Sequence, residues 1–532
     1  MQNLTIQKLC IGLVVLAFFG AAPWITAELL EGNSVPLLAL GSIAVTLLFV
    51  YGLGDRCWLL IPFCLPVEGN LNFLPLTFSL QETAIMVVFC YLLLKMIFGL
   101  DVAWRLGPAY VWVPLAGLLA VILYHWVSSG DIGIKLLGGT GWGGRKYFKV
   151  LIASLCLPLL ASFPGIRRQD LQKVPFIYFL GCFVDIIPQS ITTFIPAAAP
   201  YLWRVYSGVN IQEYGATLQG NFAGEAGVTR IGSLGKLGMA VGLLVVCYVP
   251  GRTWLNPNRF WAIPVVLLGG LLCAVSGFRN IVVKYVLSMV AGLYGSIRWH
   301  ALLIFPILVL GAFAAAFTQG KVIEYPLAMQ RALSFLPGDW SHKAKIEADA
   351  SSDWRGRMKK LFYDEYFEKH PIVGVGYHFN PEIAKRETDI YLAVVQRKLE
   401  EGDEYADVRG FMERREPHEG LVHALLVSGV VGTAFFVFFC GALLGQVYQS
   451  LRRTPPNLTT PIQTWAVALN FTTVVGFFLL GGDYTSFLIG VCPVAMLLYR
   501  ESRLRAESLF SSPEVLPETN EPVILSGTYQ RP

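Results

Sequence analysis

The chain has 532 residues, of which 55% are hydrophobic and only 14% are charged. A soluble domain carries about 25% charged residues. The composition therefore excludes an ordinary soluble protein and favours a chain with many apolar segments, each long enough to span a bilayer. The net charge of +5 is small, and neither zinc-finger spacing nor a continuous basic stripe occurs, so nothing points to nucleic acid.

Apolar runs of spanning length recur along the chain. In chain order the predicted spans are 9–27, 35–53, 82–99, 108–127, 147–163, 174–193, 233–250, 260–276, 280–296, 300–318, 419–445, 462–481 and 484–499. A shorter run, 57–66, is either a further span or a re-entrant piece. The sequence therefore predicts an all-α polytopic membrane protein with about 13 to 14 transmembrane helices.

The positive charges predict an orientation, because cytoplasmic loops carry an excess of Lys and Arg. If the N-terminus is cytoplasmic and 57–66 crosses, every inner loop holds at least one cation. Both termini are then cytoplasmic, and the outer segments include 128–146, 194–232 and 319–417. If 57–66 does not cross, everything before it is inverted and the C-terminal half keeps its orientation.

The segment 319–417 is the most charged part of the chain, with 16 of the 41 Lys and Arg residues and 18 of the 36 Asp and Glu residues. An amphipathic helix is predicted from Asp353 to His370, where Pro371 ends it. A second polar helix is predicted over 381–401. Four regions follow from this division: spans in 1–318, a large and mainly helical outer loop in 319–417, spans in 418–500, and a disordered tail in 501–532 that is rich in Pro, Ser and Glu.

His418 stands where the long outer loop re-enters the membrane. A histidine at an outward-facing helix mouth can act as a general base near neutral pH. The alternative role is that of a capping or interfacial residue. His423 lies deeper in the same predicted helix, where packing in the core is the expected role.

Three arginines lie at the outer ends of predicted spans: Arg145, Arg230 and Arg279. An arginine at the membrane boundary is costly unless it is paired, solvated or functional. The planar guanidinium donates two parallel hydrogen bonds and suits phosphate well. The alternative is that each side chain extends along the interface and places its charge in water.

Gly374 and Gly376 form a Gly-x-Gly turn directly after His370-Pro371. Glycine lets backbone N–H groups approach an anion closely, but a plain turn is the favoured interpretation of this pattern. The acidic residues of 400–416 are expected to be a solvated face and not a ligand set. We therefore predict neither a metal nor a cofactor.

Taken in order, these motifs resemble those of a known family. They are Trp354-Arg355-Gly356-Arg357 followed by a helix and His370-Pro371-Ile372-Val373-Gly374-Val375-Gly376, then His418-Glu419 followed by Gly429-Val430-Val431-Gly432, and a Ser276-to-Arg279 turn between two spans. With many spans and one large outer loop near the C-terminus, the chain resembles the bacterial O-antigen ligase and O-antigen polymerase superfamily. The resemblance covers about residues 230–440.

The resemblance implies a fold, a reaction and a location. The fold would be the membrane glycosyltransferase C-type architecture, in the bacterial inner membrane. A glycan would move from a polyprenyl-diphosphate carrier to a hydroxyl of a glycan or lipid acceptor on the periplasmic face, without metal or cofactor. His418 would be the general base, Arg279, Arg230 and Arg145 would bind the diphosphate, and Arg355, Arg357, Gly374 and Gly376 would contact substrate from the loop.

Departures from the family pattern leave the subfamily open. Glu419 stands where Asn is frequent, Val427 where an acidic residue is common, and Phe278 and Asn280 where small residues are usual. The sugar, the acceptor and the choice between ligase, polymerase and protein-glycosylating transferase are not determined. A lipid-glycan transporter or flippase and a non-catalytic assembly scaffold are the alternatives. Convergence of His418, Arg279 and Arg230 on one outward cavity would favour the transferase.

Overall fold

The computed structural model describes residues 41, 52–72, 78–98, 102–129, 144–208, 231–334, 336–377, 405–413 and 415–510. These residues are about 79% helical and include no β-strand, so the chain folds as an all-α polytopic membrane protein. The predicted spans 9–27 and 35–53, the predicted helix 381–401 and the residue Arg230 lie outside the described residues, except for Gly41, Gly52 and Leu53.

The helices, numbered in chain order, begin and end as follows. They are α1 Leu60–Cys64, α2 Leu80–Ile97, α3 Ala109–Ser128, α4 Gly144–Ser162, α5 Arg168–Leu171, α6 Val174–Phe194, α7 Ala199–Val205, α8 Gly232–Tyr248, α9 Ala262–Val275, α10 Arg279–Ile297, α11 Ile304–Thr318, α12 Leu327–Leu333, α13 His342–Leu361, α14 Ala406–Glu413, α15 Gly420–Arg453, α16 Pro461–Leu480 and α17 Tyr484–Phe510. A 3₁₀ segment, Gly54–Leu59, leads into α1, and a π-helical turn, Phe362–Phe367, follows α13.

Seven helical stretches among the described residues are apolar and long enough to cross a bilayer. One of them runs through both α10 and α11, which are joined by a 3₁₀ segment, Arg298–Leu303, whose first residue has a φ of +53°. The predicted spans near 147–163, 233–250 and 484–499 are also helices, namely α4, α8 and α17. The architecture is therefore multi-spanning, while the total of 13 to 14 spans stays a prediction.

Extensive contacts between long helices hold the bundle together. The most extensive pairings are α8 with α9, α4 with α17, α10 with α16, and α3 with α15. One continuous hydrophobic core runs through the bundle and includes the fully buried side chains of Trp58, Trp465, Phe436 and Phe439. The helices around this core begin and end at the two opposite ends of the bundle, and the loops that connect them lie there.

The short run at 57–66 does cross the bundle. Asp55 pairs with Lys95 at the C-terminal end of α2. At the other end of α2, Gln81 donates a hydrogen bond to the carbonyl of Leu65 (2.6 Å). The 3₁₀ segment and α1 therefore run antiparallel to α2 along most of its length. The greater rise of a 3₁₀ helix lets few residues cover this distance.

The outer segment between α11 and α15 folds against the start of α15. Met358, Leu361 and Phe362 from α13 and the π-turn meet Val408 and Met412 from α14 in a small hydrophobic core. Helix α13 begins eleven residues before the predicted start at Asp353, because the Ser341 hydroxyl accepts a hydrogen bond from the amide of Ala344 and caps the helix there. The helical stretch ends before Pro371, as predicted.

A break in α15 fastens this outer segment to the bundle. At Gly429 the backbone leaves helical geometry (φ +60°, ψ −165°), a region that is essentially reserved for glycine. The segment 371–376 lies in the break. Its backbone makes four hydrogen bonds of 2.8–3.0 Å with α15: the amides of Val375 and Gly376 donate to Leu426 and Val427, and the amides of Val430 and Val431 donate to Pro371 and Ile372.

The tail differs from its prediction as a disordered segment from residue 501. Helix α17 continues to Phe510, because its last turns are held by specific contacts. Glu501 is buried and accepts a hydrogen bond from Thr460, and Arg505 donates to the Thr454 hydroxyl (2.7 Å). Residues 511–532 of the tail lie outside the described residues.

We expect Gly429→Ala to destabilise the protein by at least about 1–3 kcal/mol, because the backbone conformation at this position is strained for any other residue. A Cβ there would also lie 2.3 Å from the carbonyl oxygen of Ile372. The matched control is Gly441→Ala in the same helix, where a Cβ meets no atom within 4 Å. Thermal unfolding of the purified proteins measures both, and equal midpoints for the two variants would contradict the role given to Gly429.

Candidate functional site

A cavity of about 820 Å³ lies inside the bundle, close to the end that carries the outer segment. This volume is within the usual range for ligand sites of about 300–1,000 Å³. The start of α2, the end of α6, the starts of α8 and α10, and the turn between α16 and α17 surround it. Its charged and polar lining includes Glu68, Ser79, Gln81, Lys149, Gln189, Ser233, Lys236, Asn280, Lys284, Ser288, Thr472 and Asp483.

Two lysines in the wall of the cavity form no salt bridge with the residues that the structure describes, although the carboxylates of Glu82 and Asp483 attract Lys149 from beyond salt-bridge distance. Lys149 is five residues into α4, and Lys284 is five residues into α10. Neither side chain makes a hydrogen bond or an ion pair with any residue that the structure describes. The stem of Lys284 passes within 3.8 Å of where a Cβ of Gly476 would lie. Unpaired cations inside a membrane bundle are costly and mark ligand sites or pathways.

The third lysine of the cavity is paired. Lys236 contacts the carboxylates of Asp185 and of Glu68, the latter at 3.0 Å. Asp185 also accepts a hydrogen bond from the hydroxyl of Tyr206 (2.7 Å), and that hydroxyl accepts one from the amide of Gly69 (3.0 Å). This network joins α6, α8 and the residues after α1 and α7, so Lys236 has a structural role in the wall of the cavity.

Asp483 adds a negative charge to the cavity. Its Oδ1 accepts hydrogen bonds from the amides of Thr485 (2.9 Å) and Ser486 (3.0 Å) and from the Thr485 hydroxyl, which caps α17. Burial raises the pKa of this carboxyl, but the imidazole of His423, these hydrogen bonds and the ammonium of Lys146 outweigh burial and bring the pKa down to about 2. The group is therefore a carboxylate at physiological pH.

His423 is fully buried, which agrees with the packing role expected from the sequence. Its Nε2 accepts a hydrogen bond from the amide of Tyr484 (3.1 Å), so it carries no proton on that nitrogen. The rings of Tyr377 and Tyr484 contact the imidazole on two sides. His423 thereby connects the buried end of the outer segment with the turn that holds Asp483.

Arg279 lies at the rim of the cavity and binds the outer segment. Both of its neighbours in the chain, Phe278 and Asn280, line the cavity, but the guanidinium of Arg279 turns toward α12. It donates to the carbonyl of Arg331 (2.9 Å) and to the hydroxyl of Ser334 (2.6 Å). The side chain therefore holds α12 against the turn between α9 and α10, and it does not line the cavity.

His418 also lies at the rim. Its side chain is exposed and contacts the rings of Trp354 and Phe411, with centroids 5.4 and 5.1 Å away. Its backbone touches the wall of the cavity, since a Cβ added to Gly481 would lie 2.0 Å from the carbonyl oxygen of His418. The cavity lining also includes Gly232, two residues beyond Arg230. The chain segments that carry the predicted site thus approach one cavity, although the side chains of His418 and Arg279 do not line it.

Arg145 has a buried ionic partner in the structure, and its role in diphosphate binding stays a prediction. Its side chain is 2% exposed and forms an ion pair with Glu82, which is 0% exposed. Glu82 also caps α2 together with Ser79. Arg145 lies 4.9 Å from the ring centroid of Phe78. These contacts make Arg145 part of the packing between α2 and α4.

The amides of Gly374 and Gly376 are occupied by backbone hydrogen bonds in the structure, and contact of these residues with substrate stays a prediction. Gly374 donates to the carbonyl of His370, and Gly376 donates to α15. Both residues have positive φ and lie against other backbone or side-chain atoms at distances that only glycine permits. Arg355 is exposed and Arg357 is half-buried on α13, and neither lines the cavity.

No known family model matches the chain, and no curated protein is significantly similar to it. The resemblance to the O-antigen ligase and polymerase superfamily therefore rests on the motifs alone. Two of these motifs, His370 to Gly376 and Gly429 to Gly432, meet in the structure at the break in α15. Their glycines accordingly have a structural explanation within this chain.

The sequence interpretation missed Lys149, Lys284 and Asp483. Each is a charged residue within or beside an apolar span, which is itself a signal of a functional position. Lys149 lies four residues after Arg145 and Lys284 lies five residues after Arg279, and in both helices the sequence prediction names the arginine instead.

Arg145 and Lys149 provide a matched pair, one turn apart on α4. We expect Arg145→Met to cost on the order of 3–5 kcal/mol, because it leaves the carboxylate of Glu82 buried without its cation. Lys149→Met should leave the free energy of unfolding nearly unchanged, and adding Glu82→Gln to Arg145→Met should restore part of the loss. Thermal unfolding and membrane yield measure the difference. A stable Arg145→Met protein would show that the pair is not structural.

Proposed function

We propose that the protein binds a polyprenyl-diphosphate-linked glycan in this cavity and transfers the glycan to an acceptor hydroxyl. The observation that carries the proposal is the pair of unpaired lysines, Lys149 and Lys284, in a cavity inside a membrane bundle. An anionic group is the ligand that offsets two such charges. The motifs resemble those of O-antigen ligases and polymerases, and this resemblance is the reason for proposing that the anion is the diphosphate of a lipid-linked glycan.

The lining of the cavity suits a phosphorylated sugar in a membrane. Hydroxyl and amide side chains such as Gln81, Asn280 and Thr472 alternate with apolar helix surface. A few polar groups that converge on a mainly apolar pocket orient a ligand. The carboxylate of Asp483 repels phosphate and can accept a hydrogen bond from a sugar hydroxyl. In this arrangement the diphosphate lies near the two lysines and the first sugar lies toward Asp483.

The transfer itself requires a base, a leaving group and charge stabilisation. The acceptor oxygen forms a bond with C1 of the donor sugar, and the bond from C1 to the diphosphate oxygen breaks. The leaving diphosphate keeps the electron pair, and Lys149 and Lys284 offset its growing charge. His418 at the rim takes the proton of the acceptor hydroxyl. Arg279 keeps α12 at the rim, and Arg230 stays a predicted phosphate ligand.

Donor binding tests the lysines directly. The full-length protein in nanodiscs is titrated with bare polyprenyl diphosphate. We expect Lys149→Met and Lys284→Met each to weaken binding by about tenfold or more, which is the effect of losing one charged hydrogen bond. Lys321→Met is the matched control, because Lys321 is exposed and lies over the ring of Phe317, outside the cavity. Unchanged binding in both cavity variants would show that the diphosphate does not bind at these two lysines.

Glycan transfer from a polyprenyl-diphosphate glycan tests the reaction. We expect His418→Ala to retain binding of bare polyprenyl diphosphate and to lose about 10²–10⁴-fold in the rate of glycan transfer, as for a positioned base. Normal transfer by this variant would exclude His418 as the base. Movement of the donor across the bilayer without consumption of an acceptor would instead favour a flippase.

A further inference from the structure

Three rings at the rim of the cavity form an exposed aromatic cluster, composed of Trp354, Phe411 and His418. The centroids of Trp354 and Phe411 are 5.1 Å apart with an interplanar angle of 86°, and each ring also contacts His418. Trp354 and Phe411 are half-buried at the edge of the small core of the outer segment, and His418 is exposed. A cluster that served only as packing would not need its outermost member in solvent.

Charged groups surround the cluster on its exposed side. Lys359 and Glu419 form an ion pair of 3.1 Å, with side chains that are 54% and 23% exposed. Arg355, next to Trp354 in the chain, is exposed as well. A saccharide has apolar C–H faces and hydroxyl groups at its edges. The ring surfaces of the cluster suit the C–H faces, and the neighbouring hydrogen-bond donors and acceptors suit the hydroxyl groups. Aromatic side chains supply large contact area with little loss of conformational entropy.

The cluster lies next to the wall of the cavity. The carbonyl of His418 abuts Gly481, and Gly420, two residues later, abuts Phe477 so closely that a Cβ on Gly420 would lie 2.1 Å from the Phe477 carbonyl oxygen. Gly481 and Phe477 both line the cavity. The backbone of residues 418–420 therefore lies between the cluster and the site of the two lysines, and a sugar chain attached to a diphosphate in the cavity would pass this backbone to reach the cluster.

We propose that the aromatic cluster is a sugar-binding platform, which holds the glycan of the lipid-linked donor while its diphosphate lies in the cavity. This inference rests on the proposed function and adds to it a second contact region that recognises the saccharide. The platform would distinguish a glycosylated carrier from the bare polyprenyl diphosphate that remains after transfer. Product would then leave more easily than substrate.

Two ligands separate the platform from the cavity. The full-length protein in nanodiscs is titrated with bare polyprenyl diphosphate and with polyprenyl diphosphate that carries one sugar, either N-acetylglucosamine, glucose or galactose. We expect the wild-type protein to bind at least one glycosylated lipid more tightly than the bare lipid. Trp354→Leu should lower the affinity for that glycosylated lipid by about tenfold, the effect of one aromatic contact, and leave the bare lipid unaffected.

Control variants guard against loss of folding. Phe411→Leu should act in the same direction as Trp354→Leu, and both should unfold within a few degrees of the wild-type protein. Trp299→Leu is the matched control, because Trp299 is 70% exposed and lies at the opposite end of α10. It should change neither affinity.

The outcomes test the sugar-binding platform and the proposed function separately. If no sugar raises the affinity over the bare lipid, or if Trp354→Leu changes both ligands equally, the platform is wrong while the proposed function stands. If free monosaccharides, and not the lipid-linked sugars, bind in a Trp354-dependent way, the cluster binds the acceptor and the assignment to the donor is wrong. If Lys149→Met and Lys284→Met leave bare-lipid binding unchanged, the proposed function itself fails.

Discussion

Backbone groups inside a membrane bundle need partners, and the rest of this structure depends on how that need is met in α15. A break at Gly429 would leave two carbonyls and two amides of the longest helix unsatisfied, far from water. The segment 371–376 supplies all four partners. The hydrogen bonds that satisfy the backbone groups of α15 also hold the outer segment on the bundle. The position of His418 and of α13 therefore follows from the need to pair these groups.

Charges inside the bundle fall into two groups, and the difference between them defines the candidate site. Arg145 and Lys236 face carboxylates and hold helices together. Lys149 and Lys284 face the cavity without such partners among the described residues. A buried ion pair contributes geometry more than net stability, whereas an unpaired cation contributes affinity for an anion. Lys236 lines the cavity as well, so Lys149 and Lys284 differ from it in forming no salt bridge with the described residues, and not in position.

The sequence predicted the helices well and the site only in part. Hydropathy located the spans because the length of an apolar run can be read directly from the sequence. The helical stretch before Pro371 ended there, as predicted. The roles of single residues depend on partners that are distant in the chain. Arg145 and Lys149 have the same charge and lie one turn apart on the same face of α4, so their different heights along the helix decide that Arg145 meets Glu82 and Lys149 lines the cavity. Gly374 and Gly376 looked like an anion loop because their pairing with α15 is not visible locally.

The short crossing segment has a consequence for how the protein is made. The run 57–66 is about half the length that a membrane-insertion apparatus recognises as a span, and Asp55 and Arg56 separate it from the apolar run before it. It is nevertheless buried beside α2 and α6, with Cys57 and Trp58 fully enclosed. We therefore expect it to enter the membrane together with α2, as one arm of a hairpin whose two arms are joined by the ion pair between Asp55 and Lys95 at the end that is cytoplasmic in the predicted orientation.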